Sequence, residues 1–296
     1  MNQQFSILLY YKYVALKEPA KLVAWHKDLC KKLGMKGRVI IATEGINGTL
    51  EGTVEATEEY MRALKEMPEF SDLLFKISEG KDGEAFPKLS IKLRTEIVSS
   101  HLGEKDIDPN RVTGKRLAPE ELKQWIDEGR EFSIVDMRNT YEFKSGHFKG
   151  SIDPGMDNFR DLPNVMPKLE PLKEKAVLTV CTGGVRCEKA SGFLVSQGFK
   201  DVYQLDGGIV SYMNKYPGKD FLGALYVFDK RLTIETTKDR EIVGRCDQCD
   251  TATEHYVNCA NMGCHDHILV CESCVERKGQ GYCAKCAHLF QSKVAA

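Results

Sequence analysis

The chain has 296 residues, 42% of them hydrophobic and 29% charged, and a formal net charge of −1. That length suits roughly two or three domains, and no apolar run approaches the roughly 20 residues that span a bilayer. The near-neutral balance excludes an overall positive field that would draw in nucleic acid, so a polyanionic partner has to meet a local patch.

The opening stretch, "MNQQFSILLYYKYVAL", has no basic residue before its apolar part and no small-residue cleavage site after it. It reads as a first strand rather than a signal peptide, and a cytoplasmic location is the expectation. Residues 1–97 read as one small α+β domain. "FSILLYYKYV" is a strand, Pro19 opens a helix with Leu22, Trp25, Leu29 and Leu33 as its apolar stripe, and Gly34 ends it. "GRVIIA" and "GTLEG" are strands on either side of "TEGING", a second helix runs near 55–67 up to Pro68, and "LLFKISEG" is a further strand. The order βαββαβ predicts a ferredoxin-like sheet covered by two helices, with "LSIKLRTEIV" as an added strand.

Asn47-Gly48 is a turn dipeptide. Together with Gly45 it would let a phosphate approach the backbone, although a plain hairpin turn accounts for the same residues. The stretch from Lys17 to Arg38 is locally basic. Lys31, Lys32, Lys36 and Arg38, with Asn47, are candidate nucleic-acid contacts; the alternative for the lysines is a solvated helix face. Cys30 is expected in the core, and His26 has no evident partner.

Residues 98–116 have turn residues and charges without a period and read as a linker. From 117 to 217 the pattern is α/β. "APEELKQWIDEG", "CEKASGFLVSQG" and "GGIVSYMNKY" are helices, and "FSIVD", "AVLTV" and "DVYQL" are strands. The alternation implies a largely parallel sheet. Ligands of such sheets bind beyond the carboxyl ends of strands, and Cys181 falls there.

The loop Cys181, Thr182, Gly183, Gly184, Val185, Arg186, Cys187 has the chemistry of an anion cradle. Its glycines let successive N–H groups curl inward, a helix starts behind it with its positive end forward, and Arg186 adds a full charge. Such a cradle stabilises a thiolate, a persulfide or an oxyanion; a core cysteine on a tight turn is the alternative. Cys187 either resolves an oxidised or persulfidated Cys181 as a disulfide or fills the first helical turn.

Three blocks, "DMRNTYEFKSGHFKGSID" (136–153), "CTGGVRC" (181–187) and "LDGGI" (205–209), together resemble a rhodanese domain. The resemblance implies that Cys181 is the catalytic sulfur carrier and that Asp136, Arg138, Glu142 and His147 are scaffold. The loop from Cys181 to Arg186 is shorter than the phosphate-sized loop of related phosphatases, which disfavours phosphatase activity.

Residues 218–296 contain "ALYVFDKRLTIE", a hairpin turning at Asp229-Lys230. Eight of the 11 cysteines then follow as Cys246/Cys249, Cys259/Cys264, Cys271/Cys274 and Cys283/Cys286. Pairs at such spacing each offer one ion two thiolates, so eight cysteines suffice for two closed structural zinc sites. Spacing leaves open how the pairs combine, and His255, His265, His267 and His288 are possible substitutes. Metal would supply much of the folding energy of so short a segment.

"ATEGINGTLEG", "CTGGVRCEKAS", "FLGALYVFDKR" and the cysteine-rich tail resemble the tRNA uridine 5-hydroxylase family nearly end to end. That resemblance implies an oxidoreductase that hydroxylates C5 of uridine 34 with molecular oxygen as co-substrate, and a tRNA anticodon region as partner. Neither a GxGxxG fingerprint nor a two-histidine-one-carboxylate iron site is evident, so no nucleotide or flavin cofactor is expected. The alternative is a sulfurtransferase carrying a persulfide to a protein or small-thiol acceptor. A non-enzymatic zinc-dependent binder fits the intact loop less well.

Overall fold

The computed structural model describes residues 4–103, 106–264, 266–278 and 281–287. The N-terminal domain runs β1 (Phe5–Tyr13), α1 (Pro19–Lys32), β2 (Lys36–Ala42), β3 (Gly45–Thr53), α2 (Val54–Lys65), β4 (Phe75–Gly80) and β5 (Leu89–Leu93). Its strands lie in the order β4-β1-β3-β2-β5. The first four are antiparallel, which is the expected ferredoxin-like arrangement, and β5 is the added strand, parallel to β2. Side chains alternate across β1. Leu8 and Tyr10 pack in the core with Val23 and Cys30 of α1 and Tyr60 and Leu64 of α2, while Leu9 and Tyr11 point to the other face.

Two details depart from expectation. The stripe of α1 that faces the sheet is Val23, His26 and Cys30, with Leu22, Trp25, Leu29 and Leu33 only part-buried beside it. His26 is accommodated because its Nδ1 bonds the Leu22 carbonyl at 2.9 Å and its ring meets Trp25 and Tyr60 edge-on. Asn47-Gly48 is not a turn. Both residues lie within β3, and the chain reverses at Thr43-Glu44. Gly48 is there because a Cβ would sit 2.4 Å from the Tyr10 ring.

The central domain continues with β6 (Lys115–Leu117), α3 (Pro119–Asp127), β7 (Ser133–Asp136), α4 (Thr140–Ser145), β8 (Gly146–Phe148), α5 (Met166–Leu169), β9 (Ala176–Val180), α6 (Val185–Ser196), β10 (Asp201–Leu205) and α7 (Gly208–Lys215). The parallel sheet runs β6-β10-β9-β7. Its strand β6 begins inside the segment expected to be a linker. That segment is a fastener: Lys189 of α6 is fully buried between Glu44 (2.9 Å), Glu96 (3.2 Å) and Asp106 (2.7 Å), and so ties the N-terminal domain and the connection to one helix.

After α7 come β11 (Phe221–Gly223), paired with β8, the hairpin β12 (Leu225–Tyr226) and β13 (Thr233–Ile234), β14 (Tyr256–Asn258), β15 (His267–Leu269) and α8 (Glu272–Lys278). The first hairpin turns as expected, with the Leu232 N–H donating to the Asp229 carbonyl at 3.0 Å. No helix among the described residues is long and apolar enough to cross a membrane.

Candidate active site

The apolar strand β9 carries the chain through the sheet and releases it at Cys181, and α6 starts four residues later. Gly184 makes the reversal in the left-handed region, at φ +103°, where a side chain would be strained. The first turn of α7 grips the outer side of the loop. Its Ile209 N–H donates to the Cys181 carbonyl at 2.9 Å and its Val210 N–H to the Thr182 carbonyl at 3.1 Å. With those carbonyls held outward, the Gly184 N–H faces inward and donates to Cys181 Sγ at 3.2 Å.

Cys181 and Cys187 are both closed off from solvent. Burial pushes the Cys181 thiol up, but the Cys187 Sγ–H, the Arg186 charge and the N–H groups of Cys187 and Gly184 outweigh it and bring Cys181 down to about 6. Cys187 is driven the opposite way by burial and by the neighbouring Cys181 anion. Both shifts favour the negative charge on Cys181 over Cys187.

Arg186 is locked by Glu142, which accepts Nη1 at 2.6 Å and Nη2 at 2.8 Å, while Nη2 also donates to the Thr182 hydroxyl at 3.2 Å. Glu142 thus anchors the loop directly. Asp136 and Arg138 do form scaffold, a sealed pair at 2.6 Å from which Arg138 Nη2 also reaches the Gly146 carbonyl at 2.7 Å. His147 Nδ1 bonds the Phe143 carbonyl at 3.0 Å, away from the thiols.

The outer face of the N-terminal sheet covers the loop. A Cβ on Gly183 would meet Leu9 at 2.9 Å and one on Gly184 would meet the Tyr11 hydroxyl at 2.8 Å. Tyr11 donates to Glu188 at 3.1 Å, and Lys76 of β4 donates to the Gly183 carbonyl at 2.9 Å. A cleft of about 640 Å³ opens between the two domains, lined by Tyr11, Lys12, Tyr13, Lys76, Arg116 and Lys215 among others. A smaller cavity of about 80 Å³ is lined by Leu9, Lys76, Thr182, Asn214 and Phe228 among others. Phe228, largely exposed, has the Arg186 guanidinium 5.8 Å from its ring centre.

The candidate nucleic-acid contacts separate. Lys31 and Lys32 end α1 on the side of the sheet remote from Cys181, and Lys32 pairs with Glu59 at 3.7 Å. Lys36 is held by Glu84 at 2.9 Å. Arg38 and Asn47 lie at strand positions whose parity matches the loop-facing side, and Asn47 Nδ2 donates to the Ile97 carbonyl at 3.1 Å. The basic residues that do line the cleft, Lys12, Lys76, Arg116 and Lys215, were not legible, since they are scattered over 200 positions and converge only in the fold.

In the tail the cysteine pairs interleave. Cys246, Cys249, Cys271 and Cys274 bring their sulfurs together, and so do Cys259, Cys264, Cys283 and Cys286, each set within 4.8 Å. The Cys249–Cys271 and Cys264–Cys283 sulfur separations, 3.6 and 3.7 Å, match the edge of about 3.8 Å that four thiolates at about 2.3 Å from one zinc ion require. Backbone N–H groups of Cys271 and Cys283 donate to Cys246 Sγ at 3.3 Å and Cys259 Sγ at 3.4 Å, as expected around metal-bound thiolates. No cysteine is in a disulfide. The donor set fits two closed zinc sites. His255 bonds the Val270 carbonyl at 2.8 Å and His267 faces Tyr226, so neither substitutes for a thiolate; His265 and His288 lie outside the described residues.

Comparison with known proteins agrees with this architecture. Residues 5–97 match the UPF0176 acylphosphatase like domain, 118–215 the rhodanese-like domain and 222–287 the rhodanase C-terminal domain. A solved rhodanese-like domain from Anabaena aligns at 20% identity with 38% of this chain and 80% of its own, with a TM-score of 0.32. The tRNA uridine(34) hydroxylase of Bacillus velezensis is 43% identical over 97% of this chain and 88% of its own length. That of Cytophaga hutchinsonii is 44% identical over 96% and 89%. Similarity of that degree along nearly the whole chain shows that the protein belongs to the tRNA uridine(34) hydroxylase family.

Proposed function

We propose that the protein hydroxylates uridine 34 of tRNA at C5, giving 5-hydroxyuridine, with molecular oxygen as co-substrate and Cys181 as the reacting group. The observation that carries this reading is the match to proteins named tRNA uridine(34) hydroxylase over 97% of the chain. The site chemistry supports it. A thiolate that adds to C6 of uracil raises electron density at C5, where oxygen is taken up. Loss of the C5 proton then breaks the C6–S bond and returns Cys181. Inserting one oxygen atom and releasing the other as water consumes two electrons, which Cys181 and the adjacent Cys187 supply as they become a disulfide that an external thiol reduces before the next turnover.

The reading places the anticodon region in the cleft between the N-terminal and rhodanese domains, in a cytoplasmic oxidoreductase. Because Cys181 is covered, the base has to leave its stack and enter past Tyr11 and Lys76. Phe228 and Tyr11 offer aromatic faces beside the loop, and each such stacked base contributes about 1–3 kcal/mol. The zinc sites hold the tail against the rhodanese domain, where the Tyr256 hydroxyl bonds the Tyr141 carbonyl, and take no part in the chemistry.

The test is nucleoside analysis of tRNA from cells lacking the gene, complemented with the native chain or with Cys181→Ala. The native chain restores 5-hydroxyuridine and the variant does not. Restoration by the variant removes Cys181 from the reaction, and unchanged 5-hydroxyuridine in the deletion strain together with robust thiosulfate-to-cyanide sulfur transfer makes the protein a sulfurtransferase.

A further inference from the structure

We propose that Lys76, a residue of the N-terminal domain, is a positioning residue for the Cys181 thiolate and acts on it through the Gly183–Gly184 peptide. The carbonyl of that peptide accepts the Lys76 ammonium at 2.9 Å, and its N–H donates to Cys181 Sγ at 3.2 Å. Carbonyl and N–H belong to one rigid planar group with a dipole of about 3.5 D. A cation at the oxygen end and an anion at the hydrogen end both lie along that dipole. The ammonium therefore fixes the orientation of the peptide and polarises its N–H toward sulfur.

The surroundings separate Lys76 from the other cations of the cleft. Lys12 pairs with Asp72, Arg116 with Glu188 and Asp206, and Lys215 with Glu120. Lys76 instead donates to a backbone carbonyl of the catalytic loop and lies 5.2 Å from the centre of the Tyr11 ring. Burial pushes its pKa down, and the charges of Cys181, Asp206 and Glu188 oppose that while Arg116 adds to it. From the other elements around it, Cys181 faces Arg186, itself paired with Glu142, the Cys187 thiol, and Tyr11 of β1. Gly183 lets the peptide lie against β1, since a Cβ there would be 2.9 Å from Leu9. One consequence is that the thiolate is completed only when the N-terminal sheet is seated on the rhodanese loop.

The inference rests on the reading that Cys181 works as a thiolate, and the experiment separates the two. The ultraviolet absorbance of thiolate is titrated against pH in the full-length zinc-loaded protein and in its Cys181→Ser counterpart, and the difference reports Cys181 alone. The same pair of titrations is made with Lys76→Met, Lys76→Gln and Lys76→Arg. Lys76→Met and Lys76→Gln raise the midpoint by about one pH unit, an approximately tenfold smaller thiolate population below it, and Lys76→Arg keeps it low. Should Lys76→Met unseat the domain, Lys76→Gln decides, because its amide retains a donor to Gly183 without the charge. Hydroxylation by Lys76→Gln recovers as pH is raised. A midpoint unchanged by loss of the charge, or a loss of activity equal at every pH, overturns the role of Lys76 alone. A native midpoint at the ordinary thiol value overturns the thiolate reading itself.

Discussion

Glu142 holds Arg186 through both carboxylate oxygens, at 2.6 and 2.8 Å, with Glu142 wholly sealed from water. Burial pushes the Glu142 carboxyl up, but Arg186 and Arg138 more than offset this and keep it below the usual carboxylate range. Its contribution to stability is therefore complete above the carboxylate's unfolded value and is lost as pH falls through the folded one. The pair aims Arg186 at the loop without letting it neutralise Cys181 by contact. Replacing Glu142 by Gln strands a buried guanidinium, and chemical denaturation is expected to show a loss of about 3–5 kcal/mol. A loss below about 1 kcal/mol in the same measurement would mean that Arg186 finds water or another anion.

The thiol pair dictates the pH profile. With Cys181 lowered to about 6, the rate of hydroxylation at saturating substrate is expected to rise through about pH 6 and level off by neutrality. An unfolded cysteine titrates at its ordinary, higher value. The thiolate's contribution to stability is thus complete above that value and disappears as pH falls through about 6. Cys187→Ala removes the sulfhydryl donor and, with it, the second electron-supplying thiol, so turnover is expected to be lost, while the Cys181 midpoint, read by thiolate absorbance, moves upward. A midpoint that stays in place in Cys187→Ala would show that the second thiol does not support the first.

The tail was legible in its ligands and not in its connectivity. Short spacing announces a pair because one turn of chain brings two sulfurs to one ion; which pairs meet is decided by the β14–β15 hairpin, a tertiary fact. The hairpin and the interleaving bind the two sites into one unit. In the proposed zinc-loaded form, a chelator is therefore expected to release both ions in one cooperative transition that also abolishes the tail's protection from proteolysis. Two separate release steps, with the second site intact after the first, would contradict a shared fold.

The same division runs through the rest of the molecule. Cys181 and its glycines could be read because the loop after β9 is contiguous, and the apolar run of β1 gave the strand. Periodicity placed α1 and a stripe that does pack against the core, but not the most buried positions, because His26 is polar by type yet lies in the core with only its Nδ1 hydrogen-bonded. Asn47-Gly48 misled because glycine serves close approach as well as turns, here of the Tyr10 ring. Lys76 and Tyr11 carried no signal at all, since their partners, Gly183 of the loop and Glu188 of α6, stand 107 and 177 positions away.

Gly208 offers a direct measure of how tightly the loop is held. It occupies φ +70°, and a Cβ there would lie 2.7 Å from the Cys181 carbonyl oxygen, from the Gly183 carbonyl carbon and from the Gly184 nitrogen, all of them backbone. Gly198 has φ +88° with nothing within 4 Å of its notional Cβ. Alanine at 198 bears only the left-handed conformation, about 1–2 kcal/mol. Alanine at 208 bears that strain and must also push α7 off the loop, breaking the Ile209 and Val210 hydrogen bonds that hold the carbonyls outward. Gly208→Ala is accordingly expected to cost at least about 2 kcal/mol more than Gly198→Ala in urea unfolding and to raise the Cys181 midpoint, which Gly198→Ala leaves in place. Equal costs for the two, with equal midpoints, would mean that the amides around Cys181 are not held by α7.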